Sequence, residues 1–518
     1  MNKQQLRLLG LDQIFDLIEV PSDFLASVKR YKLSRESLTV PQIQQAYQRR
    51  QIMLNLIRND KQSRWEPLLA HIPELYPEQY LRESLAIHEI FELKNFIWHY
   101  QALREYTLAK TLPGYELPDL SALFRLLDPD GNKLPVFRLS PRYSKKLQEL
   151  DKKHQELNLQ LKHSRQLLLD EARDTLKLPT LKAEFVLSRQ QDELINRILA
   201  SSYFVLHRES IANLSFILAD SEETNQLKRQ IMELEAALSR EEEAILRKLS
   251  GKIKSFYDKL YQAIETVKEL GWDYTLAAFA LAYDCCIPKL AEKIELVKVR
   301  NLPLELALKA ERREYQSLNI AFDTKANLIT GPNMGGKTSI LKCMAQCSIL
   351  FKLAIPLPAQ AASLPYFDFV YYNHISENEN LSSFGVEVVA LSKALQQEGR
   401  GLFLLDEFAK GTNPQEGEAL ASAVITYLAE SRHCTIAATH FSAPTRLNMV
   451  QQYQVIGISA DLSTDNKAGI AQRLKTLAEA MDYSLIRLSE SKAPPLNAIQ
   501  IAEILGLPAE ILKLIKSR

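Results

Sequence analysis

Cysteine is scarce in this chain of 518 residues: Cys285, Cys286, Cys343, Cys347 and Cys434 are all there is, and none forms a C-x-x-C pair. Cys343 and Cys347 share a helix face, but a metal site would need two further ligands that the spacing does not supply. The thiols are therefore expected to be buried and structural. Net charge is nearly absent, with 64 Lys and Arg against 63 Asp and Glu. That excludes a globally basic surface, so any nucleic acid must be met by a local patch. No apolar run approaches a membrane span, and the opening MNKQQLRLLGLDQIF has no signal-like core. No membrane partner is expected, and the cytoplasm is the default compartment. What remains is a globular composition, 46% hydrophobic and 25% charged, long enough for two to four domains.

Glycine is also sparse, and its placement is informative. Of 16 glycines, eight fall between Gly331 and Gly417, which concentrates tight turns in the C-terminal part. There the stretch NLITGPNMGGKTS, Asn327 to Ser339, reads as the end of a buried strand, a loop and the start of a helix. Gly331, Gly336, Lys337 and Thr338 fit the phosphate-loop pattern G-x-x-x-x-G-K-[ST]. Backbone N–H groups can wrap a polyphosphate only where Cβ atoms do not intrude, and a helix N-terminus adds a favourable dipole. The loop Gly331, Pro332, Asn333, Met334, Gly335 and Gly336, with Lys337, Thr338 and Ser339, is the expected nucleotide cradle. Lys337 would neutralise the β- and γ-phosphates, and Thr338 would ligate Mg²⁺.

About 70 residues on, the apolar run LFLLDE ends in Asp406 and Glu407. A buried parallel strand delivers such carboxylates to the nucleotide edge of an α/β sheet. Asp406 is expected in the Mg²⁺ shell and Glu407 on the attacking water. A second apolar strand, CTIAATH, brings His440 to the same edge, where it would meet the γ-phosphate. Between them Thr412, Asn413 and Pro414 read as a turn, and earlier Ser382 and Ser383 open a helix with N–H groups free to meet an anion.

Residues 1–140 carry amphipathic helical periodicity and suggest an all-helical core. From Arg142 the spacing becomes heptad-like, through Leu147, Leu150, His154, Leu157, Leu161, Ser164 and Leu168. A second seam runs from Leu227 to Leu260. Two such seams suggest an antiparallel arm over 141–270, with a small strand pair near 203–219 at its tip; a compact bundle is the alternative. The tip, Phe185 to Asp220, has three basic residues (Arg189, Arg197, Arg208) against four acidic ones (Asp192, Glu193, Glu209, Asp220). It lacks the clustered Lys and Arg of a DNA-closing surface. Residues 271–290 then return to the helical core, and 291–518 form the nucleotide-binding domain.

In this order GPNMGGKTS, LSSFGVEV, LLDEFAKGT and ATHF resemble the ATPase domain of the MutS family, a branch of the ABC-type ATPases. The likeness is specific over 317–518, where PLNAIQIAEILGLPAEIL resembles the family's C-terminal dimerisation segment, and weaker over 1–300. It implies an all-helical core with a long antiparallel helical arm, followed by an α/β ABC-type P-loop ATPase domain. It places Asn333 and Met334 against ATP and has Ser382 reach the partner's nucleotide across a homodimer or a heterodimer with a paralogue. Two positions depart from the family's pattern: Lys410 stands for the usual Arg, and Gly385 for the usual Met. No Phe-x-Glu wedge motif is visible near the N-terminus, so the chain is expected to begin at the helical core, without mismatch-reading and connector domains.

Two functions follow. One is an ATP-hydrolysing dimeric clamp acting on DNA. The other is a remodeller of a protein client; some short chains of this kind accompany adenosylcobalamin-dependent aminomutases. A structural coiled coil with a vestigial phosphate loop is disfavoured, because Lys337, Thr338, Asp406, Glu407 and His440 are all present.

Overall fold

A computed structural model describes residues 3–34, 38–60, 62–322, 325–332, 336–373, 383–458 and 480–488, with 507 and 511. Among these the chain is a mixed structure of 15 α-helices and three β-sheets. It divides into two compact units. One comprises Met1–His71, Thr107–Tyr115 and Val267–Arg518, and the other Ile72–Tyr106 and Glu116–Thr266.

The first unit is built on a six-stranded sheet. Its strands lie in the order Met481–Arg487, Gln451–Ile458, Ala326–Thr330, Cys434–Ala438, Gly401–Asp406 and Phe369–Tyr372. All neighbours are parallel except the first pair. The middle strands are mostly apolar and buried on both faces, as parallel strands covered by helices must be. Beside this sheet, Ile294–Val299 and Leu318–Phe322 pair antiparallel within a separate four-stranded sheet.

The helix Lys337–Lys352 is a core helix rather than an amphipathic one, with residues such as Leu341, Cys343, Met344, Cys347 and Leu350 fully buried. Each such aliphatic side chain contributes about 1.5–3 kcal/mol by leaving water, so the helix is held rigidly. Its far end stops at Ala354, whose φ of 55° lets the Ile355 N–H donate back to Leu350 O at 2.8 Å. The N-terminal helices grip that end. Gln346 Nε2 donates to Leu9 O at 2.6 Å, Tyr47 Oη to Ile355 O at 3.0 Å, and Arg50 to Ala354 O. Arg50 and its neighbour Arg49 both bind Asp273, at 2.8 and 2.7 Å, and Asp273 is fully buried. Tyr115 Oη donates to the same carboxylate at 2.7 Å.

In the second unit, Lys145–Leu176 and Glu222–Lys254 pack together through Leu157, Ile231 and Leu234, flanked by Leu150, Leu161 and Leu227. Ser144 Oγ donates to Glu241 at 2.7 Å and Ser164 Oγ to Glu223 at 3.0 Å, so the two helices run antiparallel. The buried stripe of the first helix passes from Ser164 to Leu169 rather than Leu168. Leu169, with Leu168 partly buried beside it, packs on the small sheet rather than on the partner helix, so the heptad no longer sets the buried face there. The end of that helix, at Leu169, Ala172 and Leu176, packs on a three-stranded antiparallel sheet of Glu184–Ser188, Asn213–Leu218 and Phe204–Glu209.

Candidate nucleotide site

Strand register brings the site together. Ile329 pairs with Ala438, and Ala438 with Asp406. Three parallel strands therefore end level, and each releases its chemistry at the same edge: Gly331 after the first, His440 after the second, Asp406 and Glu407 at the third. This is the edge at which open α/β sheets bind ligands.

Gly331 and Gly336 take φ values of 138° and 83°. A Cβ at Gly336 would lie 2.9 Å from Tyr483 Cδ1, so both conformation and space demand glycine there. Gly336 caps the helix that starts at Lys337. Lys337 folds back, with Nζ donating to Gly331 O at 2.8 Å and Pro332 O at 3.0 Å. Burial lowers its pKa, opposed by the charges of Glu407 and Asp406. Thr338 is exposed and Ser339 half-buried on the first turn.

Asp406 Oδ2 accepts from Tyr372 Oη at 3.1 Å. Glu407 sits in left-handed backbone, φ 50°, as does Ala409, φ 64°. Two such non-glycine residues in one turn mark strain that the surroundings must hold. The Glu407 N–H donates to Ala438 O at 2.9 Å, and Lys410 Nζ lies 2.5 Å from Glu407 Oε2. Burial pushes the Glu407 pKa up, yet the Lys410 hydrogen bond and charge, with Lys337 and His440, outweigh it and hold the carboxylate below its ordinary range. His440 is exposed, its ring 4.5 Å from that of Phe441. The turn after it is pinned by Glu418, whose Oε1 accepts from the N–H groups of Ser442 and Ala443 at 2.8 and 2.6 Å.

A family model described as MutS domain V matches residues 327–517. The chain is 30% identical over 232 residues to the DNA mismatch repair protein MutS of Thermus aquaticus, which covers 44% of this chain and 28% of that protein. Residues 327–517 thus carry a domain of the MutS domain V family. The chain is also 29% identical over 323 residues to the endonuclease MutS2 of Halothermothrix orenii, 60% of this chain and 37% of that protein. With the DNA mismatch repair protein MutS of a Streptococcus pneumoniae strain it shares 29% over 275 residues, 52% of this chain and 30% of that one. The matches thus span about a third of these relatives' length.

In this chain, then, Gly331, Pro332, Gly336, Lys337, Thr338, Ser339, Asp406, Glu407 and His440 meet at one sheet edge. Asn333, Met334, Gly335, Ser382 and the stretch 495–506 lie outside the described residues. Four participants had no site role in the sequence reading: Tyr372, Asn373, Glu387 and Lys410. Glu387 and Lys410 stand within LSSFGVEV and LLDEFAKGT, the stretches that carry the family likeness; Tyr372 and Asn373 come from a segment that no local motif ties to the site. Among the described residues no group of His, Cys, Asp and Glu is arranged to hold a metal on its own. The thiols of Cys285, Cys343, Cys347 and Cys434 are buried and that of Cys286 half-buried. Burial raises the Cys343 and Cys434 pKa values to about 12, which fits inert packing groups. No helix among the described residues is long and apolar enough to cross a membrane.

Proposed function

We propose that this chain binds and hydrolyses ATP as a dimeric clamp acting on DNA. The observation that carries the ATPase reading is the level ending of three parallel strands, which brings the glycine loop with its buried Lys337, the carboxylates Asp406 and Glu407, and His440 to one sheet edge. The residues present suit ATP and Mg²⁺. Gly336 leaves the loop free of a Cβ, and Thr338 and Asp406 offer the hard oxygen donors that Mg²⁺ takes. When bound, the metal neutralises charge on the β- and γ-phosphate oxygens.

The protein's own groups do the rest. Lys337, released from its two loop carbonyls, turns to the phosphates. Glu407 is kept ionised by Lys410, so it can orient and deprotonate the attacking water, and His440 contacts the γ-phosphate. Ser382 from a second subunit would complete the site. The paired helices Lys145–Leu176 and Glu222–Lys254, with the small sheet, would act as the arm that embraces DNA. The names of the relatives, which are DNA repair and endonuclease proteins, support DNA as the partner.

The test is ATP turnover of the purified protein at low salt, alone and with duplex, mismatched or branched DNA. Turnover should be stimulated by DNA, with stimulation fading as salt rises. Glu407→Ala should bind ATP yet lose about a hundredfold or more in turnover. Turnover indifferent to every DNA would overturn the DNA part of the reading, and normal turnover in Glu407→Ala would overturn the role of that residue.

A further inference from the structure

Behind the two carboxylates lies a pair of side chains that neither the sequence motifs nor the reading above uses. Asn373 follows the edge strand Phe369–Tyr372, and Glu387 lies one turn into the helix Ser383–Leu395. Each is only 5% exposed. Asn373 grips the end of the carboxylate strand from both sides. Its Oδ1 accepts from the Asp406 N–H, and its Nδ2 donates to Asp406 O at 3.1 Å. The same Nδ2 donates to Glu387 Oε1 at 3.3 Å. The other oxygen, Glu387 Oε2, accepts from the Ala409 N–H at 3.1 Å.

Ala409 is the second of the two left-handed residues that flank Phe408. The two side chains thus tie the strand end at Asp406 and the strained turn at Ala409 to one helix, with Glu407 held between the two ties. Such strain persists only where neighbours over-determine it, and here the neighbours are identifiable. The chemistry also explains why residue 387 is an acid. It faces two donors, the Ala409 N–H and the Asn373 amide, and an ionised carboxylate is acceptor-only on both oxygens. Glutamine has the same shape but would turn an N–H₂ group towards one of those donors.

Resting on the ATPase reading above, we propose that Glu387 and Asn373 are positioning residues for hydrolysis: they hold the Asp406–Ala409 turn so that Asp406 and Glu407 are aimed at metal and water. They act through the backbone of that turn and touch neither ATP nor water.

The experiment compares wild type, Glu387→Gln, Asn373→Ala and the pair Asn373→Ala/Glu387→Gln. Glu387→Gln should lower kcat about tenfold or more with KM for ATP changed less than about threefold, the signature of an interaction that matters in the transition state. Because the two side chains touch each other and hold one turn, their losses should not multiply: the pair should lose far less than the product of the single losses.

Amide hydrogen exchange over 405–411 supplies a readout that needs no turnover. Protection should fall in both single variants and little further in the pair. If wild type fails to hydrolyse ATP, the ATPase reading falls, and the exchange pattern alone decides whether the pair holds the turn. Unchanged kcat and unchanged protection in a folded Glu387→Gln would overturn the proposal, as would single losses in kcat that multiply in the pair.

Discussion

At the scale of the residue, the site turns on how a few charges are placed in and out of water. Glu407 is partly buried, which alone would favour its neutral form, but Lys410 at 2.5 Å reverses the balance. Its folded pKa lies below the unfolded value. The ionised form therefore contributes stability above the ordinary carboxylate range and loses it as pH falls through the depressed value. Lys410 is itself largely exposed, so the contribution is screened by salt. Lys410→Met should raise the Glu407 pKa and move the acid limb of the pH profile of kcat/KM for ATP to higher pH. That limb reports the free enzyme; an unmoved limb would show that another group sets it. The departure from the family pattern at residue 410 is thus a conservative one for charge, although Arg would bring a fork of donors where Lys brings a point charge.

At the scale of the element, close approach decides which residues are allowed. The helix Pro414–Glu430 starts at the Asn413 cap, whose side chain accepts from the Gln415 N–H at 3.0 Å. Inside its first turn, Gly417 rests against the strained turn: a Cβ there would meet Ala409 O at 2.6 Å and Phe441 Cζ at 3.1 Å. The first of these is backbone already fixed by Glu387, so it has little room to give. Gly417→Ala should destabilise the protein by about 1–3 kcal/mol, read by thermal melting. It should lower turnover as well, because the displaced carbonyl belongs to the turn that carries Glu407. A melting temperature unchanged from wild type would mean that the helix shifts freely. The turn at Thr412 to Pro414 is readable from its residue types. The contact that requires glycine at position 417 joins positions no turn rule connects.

At the scale of the whole molecule, the N-terminal helices are part of the unit that holds the nucleotide site rather than neighbours along the chain. Their strongest tie is the buried cluster of Arg49, Arg50, Tyr115 and Asp273. Asp273 is fully buried and Arg50 is 2% exposed. Removing one charge from such a set leaves the other uncompensated in a poor solvent for ions, at a cost of about 3–5 kcal/mol. Asp273→Asn keeps the shape and loses the charge, and denaturant melting should show a loss of that size. Because Arg50 also donates to Ala354 O at the end of the phosphate-loop helix, the same variant should loosen that helix, detectable as faster amide exchange over 347–355. A small effect would show that Arg50 finds water or another acceptor when its partner is neutralised.

The sequence by itself determined what depends on neighbours along the chain. Gly331 to Thr338 specify a phosphate loop because the backbone conformation and the following helix are local matters. The apolar runs ending at Asp406 and Ala438 specify buried parallel strands because burial on both faces leaves no alternation. The heptad seams announce long helices, though not the slip at Leu169, where the helix packs on the small sheet instead of its partner helix. Tertiary structure decided the rest. That Asp406, Ala438 and Ile329 end level is a matter of register between strands some 30 to 110 residues apart. That Asn373 and Glu387 support a turn at Ala409, and that Asp273 binds two arginines from the first helices, follows from side chains distant in sequence sharing a space without water. A buried polar group must find a partner, and the chain's fold, not its local pattern, settles which one.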